Sequence, residues 1–163
     1  MTIITTLQHL VQPTSTVEFP LTLATEQIIH NIFHTLANRP EAIGVAANQI
    51  GYDCRIFGMY VSGEIAIFIN PAYECVNGGR VIVYTEGCLS FPGEKIKTKR
   101  FEKIVATAFN IEGNQIELNL SGIESICFQH ETDHCNGIVM HERQAGSNGI
   151  QSRKRCKVLR NMK

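Results

Sequence analysis

The 163-residue chain contains 44% hydrophobic and 18% charged residues, a composition typical of one globular domain with a hydrophobic core. This composition excludes an intrinsically disordered protein, and no apolar run reaches the roughly 18 residues of a membrane span. The first 20 residues resemble neither a signal peptide nor a transit peptide, so we expect a cytoplasmic protein with no membrane partner. The formal net charge is zero, and we expect no DNA partner.

The first predicted helix covers residues 23–38. Thr22 or Thr25 is expected to cap its start, and Pro40 follows its end. Its apolar residues recur at helical spacing and form one stripe, which consists of Ile28, Ile29, Ile32, Phe33 and Leu36.

Five β-rich stretches follow, separated by turns that are rich in glycine and asparagine. They cover residues 54–61, 65–70, 79–85, 103–111 and 115–120. A second helix is predicted at about 122–136, because Ser121 and Glu124 have the spacing of a capping box and Gly137 suits the residue after a helix end. The pattern predicts an α+β fold, in which antiparallel sheets pack around the helix 122–136 and an N-terminal helix is added.

Charge is divided unevenly along the chain. Residues 1–140 hold 8 Lys/Arg and 14 Asp/Glu, whereas residues 141–163 hold 7 Lys/Arg and one acidic residue, Glu142. We expect a single domain over residues 1–143 and a short basic tail over residues 144–163, with a short helix at 150–162. The tail either meets an anionic partner or is a solvated chain end.

Residues 129–137, QHETDHCNG, contain the pattern H-E-x-x-H as His130, Glu131 and His134. On a helix, the two imidazoles lie one turn apart on one face and can bind a divalent metal, with the carboxylate beside them. His30 and His34 have the same spacing but no carboxylate between them. We therefore interpret that pair as surface or rim residues.

Two regions offer a third metal ligand. Metzincin proteases place a histidine downstream, but here Met140 occupies that position and His141 comes one residue late. Upstream, Cys88 in the stretch EGCLSFPG offers a thiolate. The sequence has six cysteines, no C-x-x-C pair and no secretion signal, so we expect reduced cysteines, most of them in the core. A zinc-dependent peptidase that uses the same helix is therefore the weaker alternative.

The stretches AIGVAANQIG, EGCLSFPG and QHETDHCNG resemble, in order, the three motifs of the peptide deformylase family. The resemblance covers roughly Thr6 to Arg143. It departs at Ala42 and Val45, where many members have Gly and Leu, and after Gly137, where many bacterial members continue into a long helix. It implies a metal-dependent hydrolase that removes the N-formyl group from the initiator methionine of newly made polypeptides and releases formate.

The resemblance also implies how the reaction is carried out. Cys88, His130 and His134 would bind one divalent ion, with Fe²⁺ expected in the cell and Zn²⁺, Ni²⁺ or Co²⁺ able to substitute. A hydroxide at the metal would attack the formyl carbon, with Glu131 as general base and then general acid. The Gln49 amide and the Leu89 backbone N–H would stabilise the oxyanion.

The N-formylmethionyl peptide is expected to bind in extended form, as an added strand. The predicted substrate-binding residues are Ile43, Gly44, Val45, Glu86, Gly87, Ile126 and Cys127. Simple core packing explains Ile126 and Cys127 equally well. Arg100 is expected to support the EGCLS segment through Glu86. Asp133 is expected on the helix surface or behind the ligands, where it would orient a ligand or a basic neighbour.

The ribosome is a further expected partner, through the basic tail. A non-catalytic binding protein with the same fold is a second alternative. The presence of all three ligands, Glu131 and Gln49 argues against it.

Overall fold

The computed structural model describes residues 1–76 and 78–146. Its helices are α1 (Leu7–Leu10), α2 (Leu23–Ala37) and α3 (Gly122–Cys135), and 3₁₀ helices cover Ala47–Ile50 and Met140–Arg143. The strands are β1 (Gly44–Ala46), β2 (Ile56–Val61), β3 (Glu64–Cys75), β4 (Val81–Cys88), β5 (Phe91–Phe101), β6 (Lys103–Phe109) and β7 (Gln115–Ser121).

All strand pairs are antiparallel. Five strands form one sheet in the order β1-β2-β3-β6-β7, and β4 and β5 form a two-stranded sheet. Helix α3 contacts strands of both sheets. The predicted α+β fold, with antiparallel sheets around a central helix, is therefore confirmed.

Helix α2 agrees with the first predicted helix to within one residue. The Thr22 hydroxyl accepts a hydrogen bond from the Thr25 backbone N–H at 3.2 Å, which satisfies one of the unpaired N–H groups of the first turn. The buried side chains of α2 are Ile32, Thr35 and Leu36.

The short strand β1 was not predicted, and the strands differ from the prediction in two further places. Strand β3 continues past Asn70 and Pro71, because a bulge with Asn70 at φ 51° absorbs the irregularity and pairing with β6 resumes at Ala72. Strand β5 was not predicted. In the C-terminal half of β5, the side chains that point into the protein are those of Thr98 and Arg100, and both residues are fully buried. Because these buried residues are polar, the strand lacks the usual alternation of apolar and polar residues.

Helix α3 is buried along almost its whole length, from Ser125 to Cys135. The predicted capping box is wrong: the Ser121 side chain makes no cap hydrogen bond, and Glu124 Oε1 accepts from the backbone N–H of Ser62 at 2.8 Å instead. The predicted helix end is confirmed. Gly137 has φ +69°, and the Ile138 N–H bonds to the Asp133 carbonyl at 2.9 Å, as in a Schellman motif.

Two clusters of buried side chains lie on the two sides of the large sheet. Phe57, Phe68 and Phe128 pack ring against ring in one of them, with centroids 5.1–5.2 Å apart, and join α3 to β2 and β3. The other cluster joins α2 to β1 and β2 and contains Ile32, Leu36 and Val45. These contacts fix helix α3 against the sheet.

The prediction of reduced cysteines is confirmed for Cys54, Cys88, Cys127 and Cys135, which are free. It is wrong for Cys75, which is disulfide-bonded. Within residues 1–76 and 78–146, no helix is long and apolar enough to cross a membrane.

The described contacts continue past the predicted domain boundary at residue 143. The Ala145 N–H donates to the Lys97 carbonyl at 2.7 Å, and Gln144 forms a bridge with Thr98. The predicted helix at 150–162 and most of the predicted tail lie outside the described residues.

Candidate metal centre and active site

Cys88 lies close to His130 and His134, although more than 40 residues of the chain separate it from the two histidines. Cys88 is the last residue of β4, and the two histidines lie one turn apart on the buried face of α3. Their ligand atoms all lie within 4.8 Å of one another, and Cys88 Sγ is 3.3 Å from His134 Nε2. One thiolate and two imidazoles can bind a divalent ion and leave a coordination position open.

Hydrogen bonding fixes the orientation of His130. Its Nδ1 lies 2.8 Å from Glu86 Oε2. Burial alone would raise the pKa of Glu86, but hydrogen bonds from His130 and Arg100 outweigh burial and hold this pKa well below its usual value. An ionised carboxylate only accepts hydrogen bonds, so Nδ1 carries the proton and Nε2 remains as the ligand atom.

His134 is held differently. Burial, strengthened by the neighbouring His130, keeps the pKa of His134 well below its usual value, so its imidazole is neutral. Its Nδ1 has no hydrogen-bond partner among the described residues, and the Asn48 amide donates to its backbone carbonyl at 2.8 Å. A neutral imidazole with Nε2 beside a thiol suits a metal ion, and the three residues therefore fit the group that the sequence predicts.

A network of buried ion pairs stands behind His130. Arg100 donates to Glu86 Oε1 from Nε at 2.7 Å and to Glu86 Oε2 from Nη2 at 3.0 Å. The Thr98 hydroxyl adds a bond of 2.5 Å to Glu86 Oε1. Arg100 Nη1 bonds to Asp133, which Arg143 holds from the other side. Arg100 therefore supports Glu86, as expected. A surface position for Asp133 is wrong, because Asp133 is buried between two arginines, which it orients.

Glu131 lies next to the ligand cluster and is only 3% exposed. Its Oε2 has no hydrogen-bond partner among the described residues. Burial raises the pKa of Glu131 to about 7, although the nearby His130 favours the ionised form. A carboxylate with this pKa can take up and release a proton near neutral pH.

Gln49 and Leu89 lie beside the cluster. Gln49 Nε2 donates to Cys88 Sγ at 3.3 Å and to Ser90 Oγ at 3.2 Å, and its Oε1 accepts from the Ala46 N–H at 2.9 Å. Leu89 directly follows the cysteine and lines the same cavity as Gln49. Both donors predicted for an oxyanion are thus near the ligands.

A cavity of about 510 Å³ opens onto this cluster. Six of the seven predicted substrate-binding residues line it: Ile43, Gly44, Glu86, Gly87, Ile126 and Cys127. Val45 does not, because its side chain is fully buried in the cluster that packs against α2. Ile126 and Cys127 both line the cavity and are buried, so packing and lining are not alternatives at these positions.

The other histidines lie elsewhere. His141 pairs with Glu94 at 2.8 Å on an exposed surface and packs edge-on against Phe91, so it takes no part in the Cys88, His130 and His134 group. His30 and His34 are exposed on α2, as expected. The downstream ligand set of a metzincin protease is therefore not formed by the described residues.

The sequence did not reveal Ser90, Thr98 and Arg143 as parts of the site. Ser90 holds Gln49, Thr98 holds Glu86, and Arg143 holds Asp133. Thr98 and Arg100 alternate along a strand, a weak signal that two polar side chains point to the same face. Nothing in the local pattern around Arg143 indicates its partner.

An α+β fold with a Cys-His-His ligand group, an adjacent carboxylate and an open cavity defines a metal-dependent hydrolase. A family model described as polypeptide deformylase matches residues 2–149. The chain is 41% identical over 123 residues to the peptide deformylase of Chromobacterium violaceum. This alignment covers 74% of this chain and 72% of that protein. The chain belongs to the polypeptide deformylase family.

Solved structures agree with this assignment. The peptide deformylase of Thermotoga maritima is 27% identical and superimposes with a TM-score of 0.79, covering 88% of this chain and 96% of that one. A peptide deformylase from Synechococcus elongatus in complex with actinonin is also 27% identical, with a TM-score of 0.77, covering 87% of this chain and 76% of that one. The chain is a metal-dependent hydrolase that removes the N-formyl group from nascent peptides.

Proposed function

We propose that Cys88, His130 and His134 hold one divalent ion and that the cavity beside them is where the formyl group is hydrolysed. The observation that carries this proposal is the convergence of the three ligands next to Glu131, a buried carboxylate with one unpaired oxygen. When bound, the ion supplies Lewis acidity, which makes a water nucleophilic near neutral pH.

Glu131 moves the protons. It takes a proton from the attacking water and delivers it to the leaving amine, so that the products are formate and a free N-terminal amine. Its pKa of about 7 suits both steps, because the group can exchange a proton in either direction near neutral pH.

Gln49 and Leu89 stabilise the negative charge that develops on the formyl oxygen. The Leu89 backbone N–H is one donor. The Gln49 amide is the other: its bond of 3.2 Å to Ser90 is at the long end of the range for N–H···O, so this N–H can turn towards the substrate. Ser90 keeps the amide close to the position where it is needed.

The backbones of Ile43, Gly44 and Gly87 pair with the extended peptide. Ile43 is 43% exposed and lines the cavity, which leaves it accessible to a ligand. Ile126, Cys127 and the stem of Glu86 line the pocket for the methionine side chain. Burial raises the pKa of Cys127 well above its usual value, so it remains a protonated, apolar wall.

We propose Fe²⁺ as the ion in the cell. One thiolate and two imidazoles suit several borderline metals, and Zn²⁺, Ni²⁺ and Co²⁺ are expected to exchange with Fe²⁺ in the purified protein. Metal analysis of protein that is purified without oxygen tests this choice.

The protein is further proposed to act in the cytoplasm as a single catalytic domain, with the ribosome as a partner through the basic tail. Seven Lys/Arg follow Met140, and one of them, Arg143, is paired with Asp133. The six others follow residue 146 and support this partner, because basic side chains attract the phosphates of RNA.

Product analysis tests the proposed chemistry. Full-length protein is incubated without oxygen with formyl-Met-Ala-Ser and, separately, with unformylated Met-Ala-Ser. We expect formate and intact Met-Ala-Ser from the first peptide, no cleavage of the second, and inhibition by actinonin. Cleavage of a peptide bond in either substrate would instead indicate a peptidase.

A further inference from the structure

Four charged side chains form a continuous chain from His130 to the end of the described structure. Glu86 contacts His130 Nδ1 at 2.8 Å, Arg100 contacts Glu86 at 2.7 Å and 3.0 Å, and Asp133 bonds to Arg100. Arg143 then donates to Asp133 Oδ2 from Nε at 2.9 Å and to Oδ1 from Nη2 at 2.6 Å. Every contact joins a cationic or imidazole donor to a carboxylate.

This series of ion pairs is buried, and its positive and negative charges are equal in number. The side chains of Arg100, Asp133 and Glu86 are at most 5% exposed, and that of Arg143 is 16% exposed. Two guanidinium groups face two carboxylates, so removal of any one leaves a buried charge without its partner. In a site that excludes water, the remaining groups would have to shift to find other partners.

Arg143 is the member that fixes the geometry of Asp133. Its planar guanidinium contacts both carboxylate oxygens, an arrangement that sets the plane of the carboxylate. Asp133 Oδ2 is shared with Arg100, so the orientation of the carboxylate determines where Arg100 Nη1 lies. The other side of Arg100 grips Glu86 through two bonds, and Glu86 orients the imidazole of His130.

We propose that Arg143 is a positioning residue for the metal centre, acting through Asp133, Arg100 and Glu86 on the imidazole of His130. The inference rests on the proposed role of His130 as a metal ligand. It matters because the second histidine has no such support: His134 Nδ1 has no partner among the described residues. The series of ion pairs that begins at Arg143 therefore supports one ligand imidazole, that of His130, at the ring nitrogen that does not bind the metal.

A simpler role for Arg143 is to attach the C-terminal segment to the body of the protein. Its 3₁₀ helix, Met140–Arg143, leads directly to the pairing of Gln144 and Ala145 with β5. Such a role would change stability but leave the metal ligands in place. The two roles therefore differ in metal affinity and in the electronic spectrum of a bound ion.

The test uses full-length protein with Arg143→Ala, Arg143→Lys and the control Arg80→Ala. Arg80 forms a salt bridge with Glu102 at 3.1 Å, and its side chain is 77% exposed. Its removal therefore also deletes an arginine–carboxylate pair, but one that is not part of the series of ion pairs behind His130. Co²⁺ affinity is measured by competition with a chelator, the visible spectrum of the Co²⁺ protein is recorded, and the unfolding of the metal-free protein is followed in urea.

Arg143→Ala should weaken Co²⁺ binding by about tenfold, the lower end of the effect of removing groups that support a ligand, and should change the Co²⁺ spectrum. Arg143→Lys keeps the charge but loses the two-point contact, so its affinity should lie between those of the wild type and Arg143→Ala. Arg80→Ala should change neither quantity. If Arg143→Ala does not fold, the lysine variant decides the matter by the same two measurements.

Unchanged affinity and an unchanged spectrum in both Arg143 variants, with lower stability alone, would overturn the proposal. An equal loss of affinity in Arg80→Ala would also overturn it. Cys88→Ser is measured in parallel: if this variant binds Co²⁺ as the wild type does, the ion is not at the proposed site and the proposed function itself fails. The positioning of His130 and the identity of the metal site are thus tested separately.

Discussion

Gly44 lies so close to Glu131 that a Cβ atom built on it would stand 2.8 Å from the carboxylate oxygen Oε1. The same Cβ would stand 2.8 Å from Cys127 Sγ. A hydrogen atom on Gly44 is therefore what allows strand β1 and the buried carboxylate of α3 to share this space. The small residues of GVAANQIG have a concrete function here, which is to make room for the carboxylate.

Gly44→Ala should lower turnover by roughly 100-fold, because a displacement of about 1 Å in a catalytic group has an effect of this size. The measurement is kcat for formyl-Met-Ala-Ser. Gly58→Ala is the matched control, since its Cβ would stand 2.7 Å from Ile32 in the core, away from the site. The control should lose stability but keep kcat for each folded molecule. Equal kcat in Gly44→Ala and the wild type would show that Glu131 is not displaced.

The sequence predicted the metal ligands better than their supports. His130 and His134 were found because a helix places residues four apart on one face, which is a local rule. Cys88 could be named only as one of two candidate third ligands until the resemblance to a family favoured it, because no local rule connects the end of β4 to α3. Arg143 could not be found from the pattern, since its partner Asp133 lies on a different element and is reached only after the chain turns at Gly137.

Two errors in the predicted fold have the same origin, which is tertiary contact. The sequence pattern does not predict strand β5, because the strand buries Thr98 and Arg100 against Glu86. Its inner face is therefore stabilised by hydrogen bonds and an ion pair and not by apolar side chains. The capping box failed because Glu124 finds a better donor in the Ser62 backbone, 62 residues away in the chain. Local patterns predict the elements, but they do not predict which polar partner each side chain finds.

Cys88→Ser should sharply lower metal affinity, because a hydroxyl is a poorer ligand than a thiolate for Fe²⁺, Co²⁺ or Zn²⁺. His141→Ala is the matched comparison, since His141 pairs with Glu94 on the surface and should leave affinity unchanged. Both variants are titrated with Zn²⁺ against a chelator. A loss of metal affinity in His141→Ala, with unchanged affinity in Cys88→Ser, would identify His141 as the third ligand and favour a peptidase.

Gly137→Ala should destabilise the protein strongly, because Gly137 has φ +69° and its Cβ would stand 2.6 Å from the backbone oxygen of Val11. Gly63→Ala isolates the backbone effect: Gly63 has φ +88°, and no atom lies within 4 Å of its Cβ. We expect a loss of about 1–2 kcal/mol in the free energy of unfolding at Gly63 and a clearly larger loss at Gly137. Urea unfolding of the metal-free variants measures both, and similar losses would mean that the contact with Val11 relaxes easily.

Deletion of residues 150–163 should leave the hydrolysis of short formyl peptides almost unchanged and weaken binding to ribosomes, most visibly at low salt. The ligands and Glu131 all lie at or before His134, within the described residues, so the reaction should continue. Sedimentation with ribosomes at two salt concentrations measures the second effect. Unchanged ribosome binding after the deletion, or binding of the full-length chain that does not respond to salt, would exclude the tail as the attachment.

The central claim is that Glu131 moves protons beside the ion held by Cys88, His130 and His134. Its most direct test is formate release from formyl-Met-Ala-Ser by the wild type and Glu131→Gln, compared at equal metal content and without oxygen. Glu124→Gln is the control: Glu124 is half-buried in the first turn of the same helix and does not line the cavity, so this variant should keep its turnover. We expect Glu131→Gln to bind the ion with unchanged stoichiometry and to lose about 10²–10⁴-fold in formate release. Formate release within a few-fold of the wild type at full metal content would contradict the account.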